Sequence, residues 1–205
     1  MPRLLLILLI SSLLGACESI SSVFSGKDNT IPPTELEEIT SEISLRTLWE
    51  KKVGVGTDKA MVNLMPAFGI SDMYTVDREG QVTSINKSSG SINWQVELDV
   101  VVTGGLGLGN GMLFLGNDVG ELIVLDAENG QLKWQKELSS VILSAPLAVA
   151  DILIARTGDG KLYGLNAENG EQLWVYDRGV PVLTLRGNSN LLLGGDQLVF
   201  AGFDS

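Results

Sequence analysis

Few side chains in this sequence of 205 residues have a strong capacity for chemistry. There is one cysteine, Cys17, and no histidine. A single cysteine cannot form an intramolecular disulfide or a cysteine-based metal site. Without imidazole, the most common general base and the most common metal ligand are both missing. These absences exclude most hydrolase and redox chemistries, and we expect no catalytic residues, no metal site and no cofactor.

Acidic residues outnumber basic ones. Asp and Glu total 25 against 14 Lys and Arg, which gives a formal net charge of −11. Nucleic-acid binding needs clustered Lys and Arg to neutralise phosphates, and attraction to anionic lipid needs the same positive charges. The charge therefore argues against nucleic acid as a partner. Any attachment to a membrane must come from something other than surface charge.

Cys17 stands where lipid modification would supply such an attachment. Within residues 1–16, Arg3 precedes an apolar run that is too short to span a bilayer. The sequence Leu14-Gly15-Ala16-Cys17 has the order of a lipobox, an aliphatic residue and two small residues before the cysteine. We expect residues 1–16 to be a lipoprotein signal peptide and Cys17 to carry the acyl chains that hold the protein on the membrane. An ordinary signal peptide with a chance cysteine is the alternative.

The residues after Cys17 suggest a location and a tether. Glu18 is not an aspartate, and the usual sorting rule of bacterial lipoproteins then permits transport to the outer membrane, with the body on the periplasmic side. Ser, Gly, Asn, Pro and Thr dominate the stretch from Ser19 to Thr34. Such a composition cannot bury enough apolar surface to offset its ordering entropy. We therefore expect residues 17–44 to form an acylated, flexible tether.

An internal repeat of 40 residues organises the rest of the chain. One tryptophan column, two glycine columns and one Asn/Asp column keep this spacing without gaps, and such agreement indicates a repeated structural unit. The four columns are Trp94, Trp134 and Trp174; Gly80, Gly120 and Gly160; Gly90, Gly130 and Gly170; and Asn86, Asp126 and Asn166.

Each repeat is predicted to hold four short strands. Residues 121–126 alternate as a strand, and Asp126-Ala-Glu-Asn-Gly130 is typical of a hairpin turn in which Asp caps the turn and Gly takes the left-handed conformation. Residues 131–137 form the next strand, with its Trp between neighbouring sheets. Two apolar strands precede this pair, which matches the strand count of a propeller blade. We predict an all-β propeller with blades at about 66–98, 105–138 and 145–178.

A fourth blade begins near Leu191, and the sequence stops inside it. Because a propeller closes to remove its edge strands, we expect residues 45–205 to be a partial β-propeller of about 3.5 blades, the N-terminal half of a longer chain. A short protein that oligomerises into a ring is the alternative. Trp49 resembles the outer-strand Trp of a blade, but no blade precedes it. Residues 45–53 are therefore predicted to be a strand that closes an absent last blade.

The repeat also carries a family resemblance. Asp126-Ala-Glu-Asn-Gly130-Gln-Leu-Lys-Trp134 and the matching stretch that ends at Trp174 resemble the propeller repeat of pyrroloquinoline-quinone proteins, many of which bind no quinone. Together with the lipobox, the tether and the first Trp strand, the chain is similar to the BamB family, lipoprotein subunits of the β-barrel assembly machinery. The resemblance implies an eight-bladed propeller, about half of it absent here, and a non-enzymatic scaffold role.

The resemblance extends to a partner-binding segment. Pro181-Val-Leu-Thr-Leu-Arg-Gly187 is similar to a blade connection of that family that contacts the periplasmic POTRA domains of BamA, the barrel-inserting subunit. This implies that Leu183, Leu185 and Arg186 contact a BamA-like partner. The connection is longer here than in the earlier repeats, and insertions in repeat proteins often map to the binding face. A core strand with a structural Arg–carboxylate pair is the alternative.

Two other functions are open to a propeller of this kind. A quinoprotein dehydrogenase would use calcium ligands and an Asp base, but Asp126 and Asn166 occupy repeated turn positions and are better explained as turn formers. A periplasmic ligand-binding propeller is the second alternative. The run Thr103-Gly-Gly-Leu-Gly-Leu-Gly109 lacks the helix and acidic residue of a dinucleotide site and suits an innermost strand. Open strand edges could also bind unfolded barrel proteins by β-augmentation.

Overall fold

The computed structural model describes residues 33–36, 43–57, 59–177 and 189–194, and the main chain of 197–200. The chain groups into two compact units, 1–45 and 46–205. The described residues of the first unit have no regular secondary structure. The predicted signal peptide and Cys17 lie outside the described residues.

The second unit is built entirely from β-strands among its described residues. Three four-stranded antiparallel sheets and one hairpin follow each other along the chain, and in each sheet the strands lie side by side in sequence order. The strands are β1 (Ala67–Phe68), β2 (Asp72–Val76), β3 (Gln81–Asn86) and β4 (Ile92–Glu97); β5 (Val102–Gly109), β6 (Met112–Asn117), β7 (Glu121–Asp126) and β8 (Leu132–Glu137); β9 (Leu147–Val149), β10 (Ile152–Arg156), β11 (Lys161–Asn166) and β12 (Gln172–Asp177); and β13 (Leu191–Gly194) and β14 (Gln197–Phe200).

These sheets are the predicted propeller blades, and the all-β fold class is confirmed. We call them blades one, two and three, and the hairpin the fourth. The middle strands of blade two read as continuous apolar runs because both of their faces are buried. Leu113 and Leu125 pack towards blade one, whereas Phe114 and Val124 pack towards blade three. The alternation of strand side chains thus places one blade between two cores.

The turns between strands use the predicted glycines. Gly80, Gly120 and Gly160 have φ angles of 90°, 91° and 90°, and Gly90, Gly130 and Gly170 have 71°, 74° and 72°. Residues other than glycine are strained in this region. In the second kind of turn, Asp126 Oδ1 accepts the main-chain N–H groups of Glu128 and Asn129, at 2.9 and 3.3 Å. The repeated Asp or Asn therefore caps the turn.

Glycines in the innermost strand of blade two let its neighbours approach closely. A Cβ atom at Gly104 would lie 2.7 Å from the Ile142 carbonyl oxygen, and one at Gly105 would lie 2.8 Å from the Asn63 carbonyl oxygen. A Cβ atom at Gly107 would overlap the Pro146 carbonyl oxygen. The glycine-rich run is therefore an inner strand, as predicted. Its pairing with β6 is irregular, with register shifts on both sides of Gly104.

The structure differs from the prediction for residues 45–53. This segment is assigned neither strand nor helix. A strand is defined by hydrogen bonds to a neighbouring strand, and none of the described strands pairs with this segment. Trp49 is nevertheless docked, because its indole Nε1 donates to the Lys87 carbonyl oxygen at 2.8 Å. The closing role of the segment in another blade stays a prediction.

Candidate partner-binding surface

The antiparallel order of the strands fixes which loops share an end of the blades. The turns β2–β3, β6–β7 and β10–β11 lie at the same end as the connections from one blade to the next. We call this the connection end. The predicted contact residues Leu183, Leu185 and Arg186 belong to the connection between β12 and β13, and they lie outside the described residues. Other loops of the connection end are described.

Asp159 organises the part of the connection end that belongs to blade three. Its carboxylate accepts hydrogen bonds from Thr157 Oγ1 at 2.5 Å and from Ser139 Oγ at 2.7 Å, and Lys161 Nζ lies 3.1 Å away. Tyr163 donates its hydroxyl to Ser139 Oγ at 2.8 Å. Ser139 follows β8, and the other groups belong to blade three. The network therefore ties the β8–β9 connection to the β10–β11 turn.

The network changes the acidity of Asp159. Burial alone would raise the pKa of this carboxyl, but the hydrogen bonds from Thr157, Ser139 and Lys161, with the positive charge of Lys161, outweigh burial and lower the pKa below its ordinary value of 3.8. The pKa of Lys161 is raised in turn by its hydrogen bond to Asp159 and by the charge of that carboxylate. Both shifts favour the charged pair at neutral pH.

Asp159→Asn is expected to lower the free energy of unfolding by about 1 kcal/mol at pH 7, because the amide keeps only part of the hydrogen bonding. A lowered pKa gives stability that is present above the unfolded-state value and is lost as pH falls through the folded value. The difference in unfolding free energy between variant and parent should therefore shrink below about pH 4. Urea unfolding at pH 7 and at pH 3 measures this difference. Asp118→Asn, an exposed carboxylate of the preceding turn, is the control, and an equal loss in both variants would contradict the role of the network.

The remaining groups of the connection end are mostly acidic and solvent-exposed. Asp99 and Asp118 lie in a connection and a turn at this end, and both are exposed. Val119, in the β6–β7 turn, and Val101, in the β4–β5 connection, are apolar side chains that are 70% and 38% exposed. Lys161 is already paired with Asp159. The described part of the connection end therefore offers negative charge and two exposed valine side chains to a partner.

Arg156 is a buried residue that the repeat columns did not single out. It is 5% exposed at the end of β10, and burial lowers the pKa of its guanidinium. The equivalent positions in the other blades hold Val76 and Gly116. The sequence signal for Arg156 was a charged residue at a repeat position where the other blades have an uncharged residue. A buried arginine needs a partner group, and Arg156 has one.

The repeated tryptophans form the junctions between blades. Trp94 Nε1 donates to the Ala127 carbonyl oxygen at 3.2 Å, and Trp134 Nε1 donates to the Ala167 carbonyl oxygen at 3.0 Å. Each ring also covers the turn glycine of the next blade, so that a Cβ atom at Gly130 or Gly170 would lie 2.8 Å from a ring carbon. Glycine is thus required there for space as well as for its φ angle.

Trp174 is the exception among these tryptophans. It is 37% exposed, and its ring lies over Gly164 of its own sheet. Within the described residues no carbonyl accepts its indole N–H. Packing of the repeat tryptophan between two sheets is therefore seen for Trp94 and Trp134, and for Trp174 it stays a prediction.

The Asn/Asp residues of the repeat act as turn formers, as predicted. Asn86, Asp126 and Asn166 accept the main-chain N–H groups of their own turns. Within residues 33–36, 43–57, 59–177 and 189–194, no three acidic or cysteine side chains come together as possible metal ligands. In the same ranges no helix has the length and apolarity needed to cross a bilayer.

Solved structures that are similar to this chain define the class of its fold. The chain is a propeller of pyrroloquinoline-quinone-type repeats. A quinohemoprotein alcohol dehydrogenase from Comamonas testosteroni superposes with a TM-score of 0.50 at 25% identity, over 56% of this chain and 21% of that one. A crystal structure of BamB from Moraxella catarrhalis superposes with a TM-score of 0.63 at 31% identity, over 68% of this chain and 42% of that chain.

The particular family follows from the sequence profile. The profile of the outer membrane protein assembly factor BamB matches residues 78–205. The assembly factor BamB of Legionella pneumophila is 33% identical over 122 residues, 59% of this chain and 32% of that protein. The chain belongs to the BamB family, whose matched members are named as assembly factors rather than enzymes. It spans about a third of the length of this relative.

Proposed function

We propose that this chain is a non-enzymatic scaffold lipoprotein of the outer-membrane protein assembly complex. The observation that carries the proposal is the family match over residues 78–205. The fold is consistent with it, since the repeated polar groups are used to cap turns and to join blades. Binding energy in such a protein comes from its surface loops, and the scaffold would assist the folding and insertion of β-barrel proteins by holding other subunits in place.

The proposed anchor is the acylated Cys17. The signal peptide over 1–16, removed at the lipobox, would leave this residue at the mature N-terminus. Several acyl chains on one residue bind a bilayer far more tightly than a single chain. Because Glu18 permits sorting to the outer membrane, the propeller would hang from that membrane on its periplasmic side, at the end of a tether that runs to residue 44.

The proposed partner is the barrel-inserting subunit, a BamA-like protein with POTRA domains. Its contact residues in this chain are Leu183, Leu185 and Arg186, in the β12–β13 connection. The acidic loops at the connection end favour a partner surface with positive charge. Arginine is a common anchor in interfaces, and the alternating leucines would present apolar side chains on one side of an extended segment. Unfolded barrel strands are a second class of partner, through open strand edges.

Negative charge introduced into the β12–β13 connection tests the partner assignment. Leu183→Glu, Leu185→Glu and Arg186→Glu together should reduce recovery of the barrel subunit in an affinity pull-down at least about tenfold, since anchor residues each contribute about 2 kcal/mol or more. The matched control is Ile92→Glu, Leu132→Glu and Lys133→Glu, three exposed residues of similar type on the outer strands of blades one and two. Unchanged recovery with the first variant, or equal loss with both, would overturn the assignment.

A further inference from the structure

The N-terminal part of the second unit occupies a defined position on blade one. Trp49 donates to the Lys87 carbonyl oxygen, and Lys87 is the repeat equivalent of Ala127 and Ala167, which accept from Trp94 and Trp134. The Trp49 ring also covers Gly90, where a Cβ atom would lie 2.6 Å from a ring carbon. Trp49 thus binds blade one as the blade tryptophans bind the next blade.

A second contact extends this equivalence along the main chain. Arg78 N–H donates to the Gly56 carbonyl oxygen at 2.9 Å, just as Asp118 N–H donates to Val101 and Gly158 N–H to Val141, at 3.2 and 2.8 Å. The spacing along the chain is different, however. Trp49 and its acceptor are 38 residues apart, against 33 for the two blade tryptophans. Gly56 and Arg78 are likewise 22 residues apart, against 17 for the two equivalent pairs, so both contacts are offset by the same five residues. From Trp49 to Gly56 the segment therefore keeps the seven-residue spacing of Trp94 to Val101, and the extra residues lie after Gly56.

Asp77 is the residue that differs at this junction. It is 5% exposed; its Oδ1 accepts the Gln81 N–H and its Oδ2 accepts the Val55 N–H, both at 2.9 Å. In blade two the equivalent residue, Asn117, uses its Oδ1 for the N–H groups of Val119 and Glu121 in its own turn. Asp77 thus has the same intrablade role and a second oxygen for the N-terminal segment.

The main chain on either side of Val55 adopts a conformation that brings the Val55 N–H to this second oxygen. Gly54 and Gly56 have φ angles of 59° and 69°, and a Cβ atom at Gly54 would overlap the Asp77 carboxylate. Beside this contact lies a cavity of about 180 Å³, whose lining includes Val53 and Thr83. Apolar packing is therefore incomplete here. Two hydrogen bonds, from the Val55 N–H to Asp77 Oδ2 and from the Arg78 N–H to the Gly56 carbonyl oxygen, join this segment to blade one.

We propose that Asp77 is the positioning residue that fixes the segment from Trp49 to Gly56 on blade one. The carboxylate is required because the two N–H groups meet different oxygens of Asp77, and an amide would present an acceptor at only one of these two positions. The segment follows the proposed tether in sequence, so a pull on the lipid anchor would be transmitted through it. The contact with Asp77 would then determine which part of the propeller bears that force. This last consequence rests on the proposed lipidation of Cys17, whereas the docking itself does not.

Asp77→Asn in the full, unacylated chain separates the two roles of the carboxylate. The amide oxygen can still accept the Gln81 N–H, but its NH₂ group cannot accept the Val55 N–H. We expect hydrogen exchange at Val55 and tryptic cleavage after Lys51 and Lys52 to accelerate on the order of tenfold. Exchange at Gln81 should change little. The control is Asn117→Asp, which places the same carboxylate in blade two without an N-terminal segment to bind.

Two outcomes would overturn the proposal. Unchanged exchange at Val55 in the Asp77→Asn chain would show that the carboxylate does not hold the segment. An equal acceleration at Val55 and at the core residues Leu122 and Leu162 would show that Asp77 serves only the stability of the fold. Because the chain is unacylated, both outcomes are independent of the proposed anchor and partner.

Discussion

Trp134→Ala is expected to lower the free energy of unfolding by about 3 kcal/mol, the lower end of the range for large aromatics in a core, because the ring is partly buried. Its ring covers Gly170, and its indole donates to the Ala167 carbonyl oxygen. Alanine would open a cavity between blades two and three and leave the Ala167 carbonyl without its indole donor. Urea unfolding followed by far-UV circular dichroism measures the change without using the removed fluorophore.

Trp174→Ala is the matched control. The same residue type at the same repeat position is more exposed, and within the described residues it lacks a hydrogen-bond acceptor, so its loss should be about 1 kcal/mol. Trp134→Phe isolates the indole hydrogen bond, which is expected to contribute about 1 kcal/mol. Equal losses for Trp134→Ala and Trp174→Ala would contradict the junction role of the tryptophan.

Gly107→Ala is expected to destabilise the chain by about 3 kcal/mol, which is at the upper end of the range for overpacking. The new Cβ atom would overlap the Pro146 carbonyl oxygen, and main-chain atoms cannot rotate away as a side chain would. Gly107 is not in the left-handed region, so the cost arises from overlap rather than from backbone strain. The midpoint and slope of a urea titration give the value.

Gly69→Ala serves as the comparison for this substitution. Gly69 lies in the β1–β2 turn, and a Cβ atom there would be 3.4 Å from the Asp72 carbonyl oxygen and 3.5 Å from the Tyr74 ring. These are ordinary contacts, and the change should stay within about 0.5 kcal/mol. If Gly107→Ala were as mild as Gly69→Ala, blades two and three would have to be less closely packed near the axis than described.

The repeat columns predicted the regular part of the fold because they report local requirements. A glycine at 120 or 130 is needed for its φ angle, and an Asp or Asn at 126 is needed to cap the turn. Such requirements recur in every blade and are therefore visible in one sequence. The tryptophan column was equally informative for Trp94 and Trp134, since their acceptors lie one blade further along the same chain.

Features that occur only once in the chain could not be predicted from the repeat columns. Asp77 differs from Asn117 by one atom type, and its importance depends on the Val55 N–H that the fold brings to it. The sequence identified Trp49 as similar to the outer-strand tryptophan of a blade. Whether residues 45–53 form a strand, however, depends on a neighbouring strand to pair with, and the type of a residue does not reveal that neighbour. The irregular pairing around Gly104 likewise depends on how closely blade three approaches.

The position of the tryptophans has an optical consequence. Trp49, Trp94 and Trp134 each report on one boundary, the first at blade one and the others at the two boundaries between blades, whereas Trp174 stands in a more solvated environment. Indole emission shifts to longer wavelength as water reaches the ring. A chain that retains one of these three boundary tryptophans, with phenylalanine at the other tryptophan positions, would therefore show by its emission wavelength when that boundary separates, and three such chains would resolve the order in which the boundaries open.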